Sequence, residues 1–284
     1  MNNTKTNQDD VFFQEYTSGD AIRKYSKATA GHGISYLLNH DYKWVYLDAL
    51  GSLPADVRKR GLRMLEFGCG AGMNIINLIG MLKREGIPVL KAVGTDFSPV
   101  LIDTAKREAL NYLPNDQRGT VEFYVAKNET LINELVAAGQ SKASLEGSFD
   151  FILGVNTFRY CHRAGTQLDC ARDIFRLVAP GGVCVNIDMS NRFPAFRSAI
   201  KNRFRKHKEE ECYLPSLDEY SSPFVKAGFE VLRRGHFCWI PHSAGPLMCQ
   251  VLRFFTPILN TVAQSRAMRS LVVSRKPASS ANAA

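Results

Sequence analysis

Hydrophobic and polar positions follow two alternating periods along the middle of the chain. Short apolar runs rich in β-branched residues, typical of buried strands, alternate with longer stretches whose apolar residues lie three and four positions apart, typical of helices. The short runs predict five strands: RMLEF, VLKAVGTD, VEFYVA, FDFILGVN and GGVCVNID. The stretches between them predict four helices: GMNIINLIGMLKREG, SPVLIDTAKREAL, NETLINELVAAG and TQLDCARDIFRLVAP. Strands joined by helices imply right-handed crossovers, so the pattern predicts a doubly wound, mainly parallel α/β sheet covered on both faces.

The regions on either side of this core have a different pattern. Residues 20–50 have helical spacing that we interpret as broken at Gly31 and Gly33. After the fifth strand, two helices (FPAFRSAIKNRFRKHKEEE and LDEYSSPFVKAGF) precede two more strands (EVLRRGHFCWI and RSLVVSRKP). The last two strands predict an antiparallel hairpin at the edge of a seven-stranded sheet, with a helical insertion before the final strand.

These changes of pattern divide the chain into five parts. They are 1–15, a disordered N-terminus; 16–60, an N-terminal helical lid; 61–190, the ligand-binding α/β core; 191–276, the substrate-side helices, insertion and closing strands; and 277–284, a flexible tail.

Composition narrows the class of protein. The 284 residues are 45% hydrophobic and 22% charged, which is typical of a globular protein, and the net charge of +9 fits an anionic substrate, RNA or an acidic membrane face. The seven cysteines form no CxxC pair and no zinc-type spacing, which favours the cytoplasm and predicts no metal site. The N-terminus has no stretch of signal-peptide type, and prolines interrupt the late apolar segment, which argues against a spanning helix.

The sequence MLEFGCGAGMN at 64–74 predicts a ligand-binding turn. A strand that leads into Gly68, Gly70 and Gly72 lets the backbone turn sharply and approach a ligand beside the start of the next helix. A dinucleotide fingerprint expects a small residue where Met73 stands, and a P-loop needs Lys followed by Ser or Thr. Glu66, two residues before the first glycine, would repel a pyrophosphate but attract a cationic amine.

The resulting pattern, E-x-G-x-G-x-G, resembles that of the class I S-adenosylmethionine-dependent methyltransferases of the small-molecule type. Asp96, in GTDFSP at the end of the second strand, stands where that family places the carboxylate that accepts both ribose hydroxyls, and Ser98 with Pro99 is the better helix cap. The resemblance continues through FDFILGVN, IFRLVAPGGVCVNID and KAGFEVL, and covers roughly 62–190 and 223–275.

The resemblance implies that S-adenosyl-L-methionine is the cofactor of the 61–190 core. The residues it assigns to cofactor binding are Glu66, Gly68, Cys69, Gly70, Gly72, Asp96, Phe97, Asn128, Glu129 and Asn156. One position departs from the family. Where the family commonly has an aspartate near the adenine ring, this sequence has Lys127, Asn128 and Glu129, of which Asn128 can accept a hydrogen bond from the exocyclic amine.

An oxygen or nitrogen acceptor must lose a proton, and histidine is best tuned to take it near neutral pH. The candidate catalytic residues are His162 and Tyr160 in NTFRYCHRAG, after the fourth strand, and His32 in TAGHG, within the predicted lid. A surface or structural role is the alternative interpretation for each histidine. Asp188, at the end of the fifth strand, either contacts the substrate or stabilises its loop.

Two apolar segments indicate the chemical class of the methyl acceptor. On the helix at 196–208, Phe196, Ile200 and Phe204 adjoin a cationic stripe, which indicates either docking to a membrane or anionic acceptor, or a solvated helix packed by its phenylalanines. The insertion at 239–262 is either a hydrophobic acceptor pocket or buried core. Together they favour a small, hydrophobic, lipid-like or aromatic metabolite as acceptor.

The sequence leaves three alternatives to this function. Nucleic acid is not expected as a substrate, because the motif after the fourth strand is Asn156-Thr157-Phe158-Arg159 rather than Asn/Asp-Pro-Pro-aromatic. An NAD(P)-dependent oxidoreductase is weakened by Met73 and by Asp96, which follows Gly68 by 28 residues (96 − 68) rather than about 20. The third is a cofactor-binding protein that is a non-catalytic partner.

Overall fold

The computed structural model describes residues 26–27, 30–194 and 214–278, in which one sheet carries helices on both faces. The strands are β1 Leu62–Phe67, β2 Val89–Asp96, β3 Val121–Val125, β4 Phe149–Val155, β5 Val178–Met189, β6 Glu230–Phe237 and β7 Arg269–Arg275. The helices are α1 His32–Asn39, α2 Asp41–Gly51, α3 Ala55–Arg60, α4 Met73–Arg84, α5 Pro99–Tyr112, α6 Asn115–Arg118, α7 Leu131–Ala137, α8 Lys142–Leu145, α9 Phe158–Ala164, α10 Gln167–Leu177, α11 Leu217–Ala227 and α12 Pro246–Ala263. Short 3-10 helices cover Asn128–Thr130 and Gln264–Arg266.

The strand order is β3-β2-β1-β4-β5-β7-β6. The first five strands are parallel, and β7 runs antiparallel to both β5 and β6. The predicted doubly wound, mainly parallel seven-stranded sheet is therefore confirmed, and so is the antiparallel hairpin. The chain winds outward in opposite directions from β1 and β4, so the gap beyond their carboxyl ends is the switch point where open α/β sheets bind ligands.

Two hydrophobic clusters cover the two faces of the sheet. One unites β-strand residues with α2, α4 and α5, and the other unites them with α7, α10 and α11. Successive side chains of a strand point to opposite faces. In β1, Met64 belongs to the first cluster and Leu65 and Phe67 to the second, so Glu66 shares the face of Met64, under α4.

The start of the predicted lid packs closely on the late part of the chain. Gly31 precedes α1 as its N-cap, but the predicted break at Gly33 is wrong, because Gly33 lies within the helix. A Cβ at Gly33 would lie 2.2 Å from the carbonyl oxygen of Pro241, and the Gly33 N–H donates to the carbonyl of Ala244 over 2.9 Å. Gly33 is therefore a point of close backbone approach.

Strand β5 begins earlier than its sequence predicts. Phe149 pairs with Val178 and Phe151 with Val183, so a bulge interrupts the register between β4 and β5. Gly181, in the Pro-Gly-Gly segment, has a φ of +77°. Val178, Ala179 and Pro180, predicted as the end of the preceding helix, instead belong to β5, and the bulge lies within that strand.

The predicted insertion between the last two strands forms α12. Its interpretation as buried core is wrong, because Cys249 is the one residue of α12 that is buried. None of the helices in the described residues is long and apolar enough to cross a membrane. The predicted helix at 196–208, the predicted disordered segment 1–15 and most of the 277–284 tail lie outside the described residues.

Candidate cofactor and acceptor site

The glycine loop joins β1 to α4 at the switch point. Gly68, Gly70 and Gly72 have φ angles of +62°, +54° and +78°, in the left-handed region that favours glycine. The N–H of Cys69 donates to the carbonyl of Thr95 over 2.7 Å, which fastens the loop to the end of β2. Gly72 is the N-cap of α4, so the loop delivers the chain directly to a helix N-terminus.

Thr157, a residue that the sequence analysis did not select, joins three loops at this edge. A Cβ at Gly68 would lie 2.0 Å from Oγ1 of Thr157, so the threonine packs directly on the glycine loop. The same Oγ1 accepts a hydrogen bond from Nδ2 of Asn128 over 2.8 Å. The loops that follow β1, β3 and β4 therefore form one connected surface.

Asp96 ends β2 with its carboxylate against the glycine loop. Its Oδ2 accepts the Gly70 N–H and its Oδ1 accepts the Ser98 N–H, both over 2.9 Å. Ser98 caps α5 through the Leu101 N–H, and Pro99 is the first residue of that helix. Each carboxylate oxygen of Asp96 retains a second acceptor site for a ligand hydroxyl. Burial raises the pKa of Asp96, while its two backbone hydrogen bonds lower it.

Glu66 lies fully buried beneath the loop. Its Oε1 accepts from Nδ2 of Asn74 over 3.1 Å and its Oε2 from the N–H of Ile75 over 2.9 Å, at the start of α4. Burial and, to a smaller extent, the neighbouring Asp96 raise the pKa of Glu66 to about 8, although these two hydrogen bonds lower it. Glu66 is therefore mostly protonated at neutral pH.

The other residues assigned to the cofactor surround this centre. Phe97 packs with Tyr160 against Ala71 and Leu101. Cys69 is buried, and burial raises the pKa of its thiol. Asn128 and Glu129 are half-buried in the 3-10 helix after β3, and Asn156 directly follows β4 with a φ of +56°.

The three candidate catalytic residues lie in three different surroundings. The Tyr160 hydroxyl accepts from Nη2 of Arg159 over 2.6 Å, next to Phe97. The ring of His162 packs edge-on against Phe158 and Tyr220, and burial lowers its pKa, although Glu219 and Asp188 raise it. His32 is exposed at the first position of α1.

A buried polar cluster extends the site across β5 and β7. Asp188 forms an ion pair with Arg159 over 3.2 Å and accepts the Arg159 backbone N–H. Arg269, which begins β7, donates to Oδ1 of Asn156 over 2.7 Å, and its Nη2 lies 2.7 Å from Nε2 of His242. Sequence analysis missed Arg269 and His242. The predicted hairpin could have pointed to Arg269. Because β7 runs antiparallel to the parallel strands, its first residue lies at the edge of the sheet where those strands end.

Two tyrosines of α2 bring polar groups into the buried region beside this cluster. The hydroxyls of Tyr42 and Tyr46 on α2 are buried and have no hydrogen-bond partner among the described residues. Burial raises the pKa of Tyr42 to about 12, and the nearby Arg269 lowers it. The pKa of Tyr46 is raised by burial and further by Glu66. Buried hydroxyls normally have partners, so these two are exceptions among the described residues.

Comparison with known proteins identifies the family. A family model described as "Methyltransferase domain" matches residues 38–234. No curated protein sequence matches the chain significantly.

Solved structures share the fold at low sequence identity. The structure of magnesium protoporphyrin IX methyltransferase from Synechocystis PCC 6803 with bound SAH is 12% identical, with a TM-score of 0.57 over 94% of this chain and 98% of that one. A SAM-dependent methyltransferase from Aquifex aeolicus is 14% identical, with a TM-score of 0.54 over 90% and 96% of the two chains. A chain in the complex between the Haloferax volcanii Trm112 methyltransferase activator and the putative methyltransferase is 17% identical, with a TM-score of 0.51 over 90% of this chain and 97% of that one.

The family model spans more than two thirds of the chain, including the glycine loop, Asp96 and the loop after β4. The chain therefore belongs to the methyltransferase domain family and is a class I S-adenosylmethionine-dependent methyltransferase.

Proposed function

We propose that this enzyme transfers the methyl group of S-adenosylmethionine to an oxygen, nitrogen or carbon atom of a small hydrophobic acceptor, at the carboxyl edge of the sheet. The observation that carries the proposal is the hydrogen bond from the Gly70 N–H to the Asp96 carboxylate. It joins a glycine-rich turn to a buried acid at the switch point between β1 and β4.

Charge supports S-adenosylmethionine over a dinucleotide as the cofactor. The turn lies between Glu66 and Asp96, and the sequence from Glu66 to Asn74 contains no lysine or arginine. A pyrophosphate would meet the Asp96 carboxylate with no basic residue in the turn, whereas a sulfonium or ammonium group meets favourable charge there and favours the ionised form of Glu66.

In the proposed arrangement each cofactor group has residues assigned to it. Gly68, Cys69, Gly70 and Gly72 hold the methionine part, with Glu66 beneath them. The other assignments are Asp96 to the ribose hydroxyls, Phe97, Asn128 and Glu129 to the adenine end, and Asn156 to the region of the methyl group.

The cofactor supplies an electrophilic methyl group, and the protein's contribution is to hold the acceptor atom in line with it. The aromatic side chains of Tyr42 and Phe237, whose rings lie 6.1 Å apart, give the lid side an apolar character that suits a hydrophobic acceptor. The proposed proton acceptors are His162, His32 and Tyr160. Arg269 and Asp188 are proposed to position polar groups of the acceptor.

Isothermal titration calorimetry tests the cofactor assignment. Asp96→Ala is expected to weaken S-adenosylmethionine binding by about 1–3 kcal/mol, because charge-assisted hydrogen bonds are lost. Asp103→Ala, an exposed aspartate on α5, is the matched control and should leave affinity unchanged. Equal affinity in the two variants would remove Asp96 from the ribose site, and binding of NAD instead would overturn the proposal.

Methyl transfer itself is tested with methyl-labelled cofactor and a cell extract, followed by mass spectrometry of the labelled products. We expect the label in a small molecule that partitions into organic solvent. Cofactor binding without labelling of any molecule would favour the non-catalytic partner protein, and labelled water-soluble products would contradict the hydrophobic acceptor.

A further inference from the structure

Helix α12 presents a continuous apolar surface to solvent. The surface consists of seven side chains, Leu247 (74% exposed), Met248 (52%), Val251 (47%), Phe254 (75%), Phe255 (46%), Ile258 (55%) and Val262 (73%). Their spacing of three and four residues places all seven on one side of the helix. We call this surface the α12 stripe.

The opposite side of α12 is anchored to the protein, so the exposure of the stripe follows from how the helix is held. Cys249 is buried with Ile240 and Ala244, and Leu252 packs on the same cluster. Oδ1 of Asn260 accepts a hydrogen bond from Nε1 of Trp239 over 2.8 Å. The guanidinium group of Arg253 lies 5.1 Å from the ring centre of Tyr36 on α1.

The size of the stripe indicates an interaction surface. Contiguous apolar patches larger than a few hundred Å² are rare on monomeric soluble proteins and mark docking sites. An α-helix of 18 residues is about 27 Å long, and the stripe extends along most of that length.

Charge decides between the candidate occupants. From Val231 to the end of the sequence there is no aspartate or glutamate, so no acidic residue lies on α12. Three of the segment's seven arginine and lysine residues pair with acids elsewhere in the chain, and Arg253 lies on the inner side of α12 against Tyr36. The positive charge that acts on an occupant is therefore that of Arg266, just after α12, and the net +9 of the whole chain. Two copies of a chain with this net charge repel each other. A nucleic acid would attract the cations but would not cover the apolar stripe. A bilayer that contains anionic lipids offers both an acyl layer and negative headgroups.

We propose that α12 docks on the surface of a membrane that contains anionic phospholipids, with the α12 stripe in the boundary between headgroups and acyl chains. The helix lies in the plane of the membrane, because its inner side remains packed on Ile240, Ala244 and Tyr36. This inference does not depend on methyl transfer.

Vesicle flotation with the full chain tests the proposal. The protein is expected to float with vesicles of phosphatidylglycerol and phosphatidylcholine, and more weakly with phosphatidylcholine alone. The double variant Phe254→Ser/Ile258→Ser should reduce the partition coefficient at least about tenfold, because burial of one phenylalanine alone corresponds to a factor of that order. Both side chains are exposed, so thermal unfolding of the variant should match that of the parent.

The matched control is Leu110→Ser/Val225→Ser, which replaces two apolar residues of similar exposure, 57% and 56%, on α5 and α11. This variant should float like the parent. Equal flotation of both double variants, or no flotation of the parent with anionic vesicles, would overturn the proposal. A dimer in light scattering that Phe254→Ser/Ile258→Ser dissociates would assign the stripe to contact between copies instead.

Discussion

The carboxyl group of Glu66 lies in an environment that couples its protonation to folding. Burial raises its pKa to about 8 in the folded chain, against an ordinary value of 4.5. The folded state therefore binds the proton more tightly, and the contribution of Glu66 to stability is full below about pH 4.5 and is lost as pH rises through 8. Glu66→Gln, which stays neutral, should gain several degrees in Tm relative to the parent between pH 5 and pH 9. A Tm difference that is constant with pH would contradict this.

The same residue predicts a proton linked to cofactor binding. A cationic ligand near Glu66 favours its charged form, so binding at pH 7 should release up to one proton. Calorimetry in buffers of different ionisation enthalpy measures that number. The parent and Glu66→Gln are compared, and the variant should release fewer protons. The same release from both would place the ammonium group away from Glu66.

Asp188 is predicted to support its loop through the buried pair with Arg159. The side chains are 2% and 12% exposed, so Asp188→Ala removes the ion-pair partner of a largely buried cation and should cost about 3–5 kcal/mol in the free energy of unfolding. Asp116→Ala removes the partner of Lys83 in an exposed pair and should change the free energy of unfolding far less, because water and salt screen an exposed pair. Urea denaturation measures both. If the two variants lost similar amounts of unfolding free energy, the Asp188–Arg159 pair would not be effectively buried.

At the residue scale, local signals were predictable and distant contacts were not. Ser98 and Pro99 were predicted as the cap of α5 from adjacent sequence, and they form it. Arg269 and Asn156 are 113 residues apart, and their contact depends on β7 pairing with β5. Thr157 was missed because its packing on Gly68 depends on how β1 and β4 align.

At the element scale, the docking of α1 depends on Gly33. Gly33→Ala would bring a Cβ to 2.2 Å from the Pro241 carbonyl oxygen, and backbone cannot move aside cheaply, so the Tm should fall by several degrees. Gly51→Ala, at the end of α2, has open space around its Cβ and should leave the Tm unchanged or slightly higher. Hydrogen exchange should also be faster in α1 of Gly33→Ala. Equal Tm values for the two variants would show that α1 is not held at this point.

Element boundaries were predicted where the local pattern alone sets them. Strand β2 was predicted with its observed limits, because an apolar run ends at a helix cap. The start of β5 was missed, since the bulge at Gly181 depends on pairing with β4. The exposure of α12 was missed because apolar residues lie on both its inner and outer sides, and spacing cannot tell which side meets the protein.

For the whole molecule, thiol reactivity reports the integrity of the fold. Six of the seven cysteines are free and buried in the described chain, and burial raises the pKa of Cys69, Cys170, Cys184 and Cys238. A thiol reagent should therefore label at most one cysteine of the native protein, and all seven in guanidinium chloride. Cys212→Ser should reduce native labelling to none. Rapid labelling of several thiols in native buffer would show that the sheet and its helices open readily.

Strand β7 lies between β5 and β6, although it follows both in sequence. During synthesis, β6 leaves the ribosome before the one strand with which it pairs in the described sheet. A newly made chain must keep a gap beside β5 until α12 and β7 have emerged, with β6 held by its contacts to the helices α2 and α11. The last step of assembly is therefore the insertion of β7 between β5 and β6. Until that step is complete, the unpaired N–H and C=O groups of β5 can pair with strands of neighbouring nascent chains.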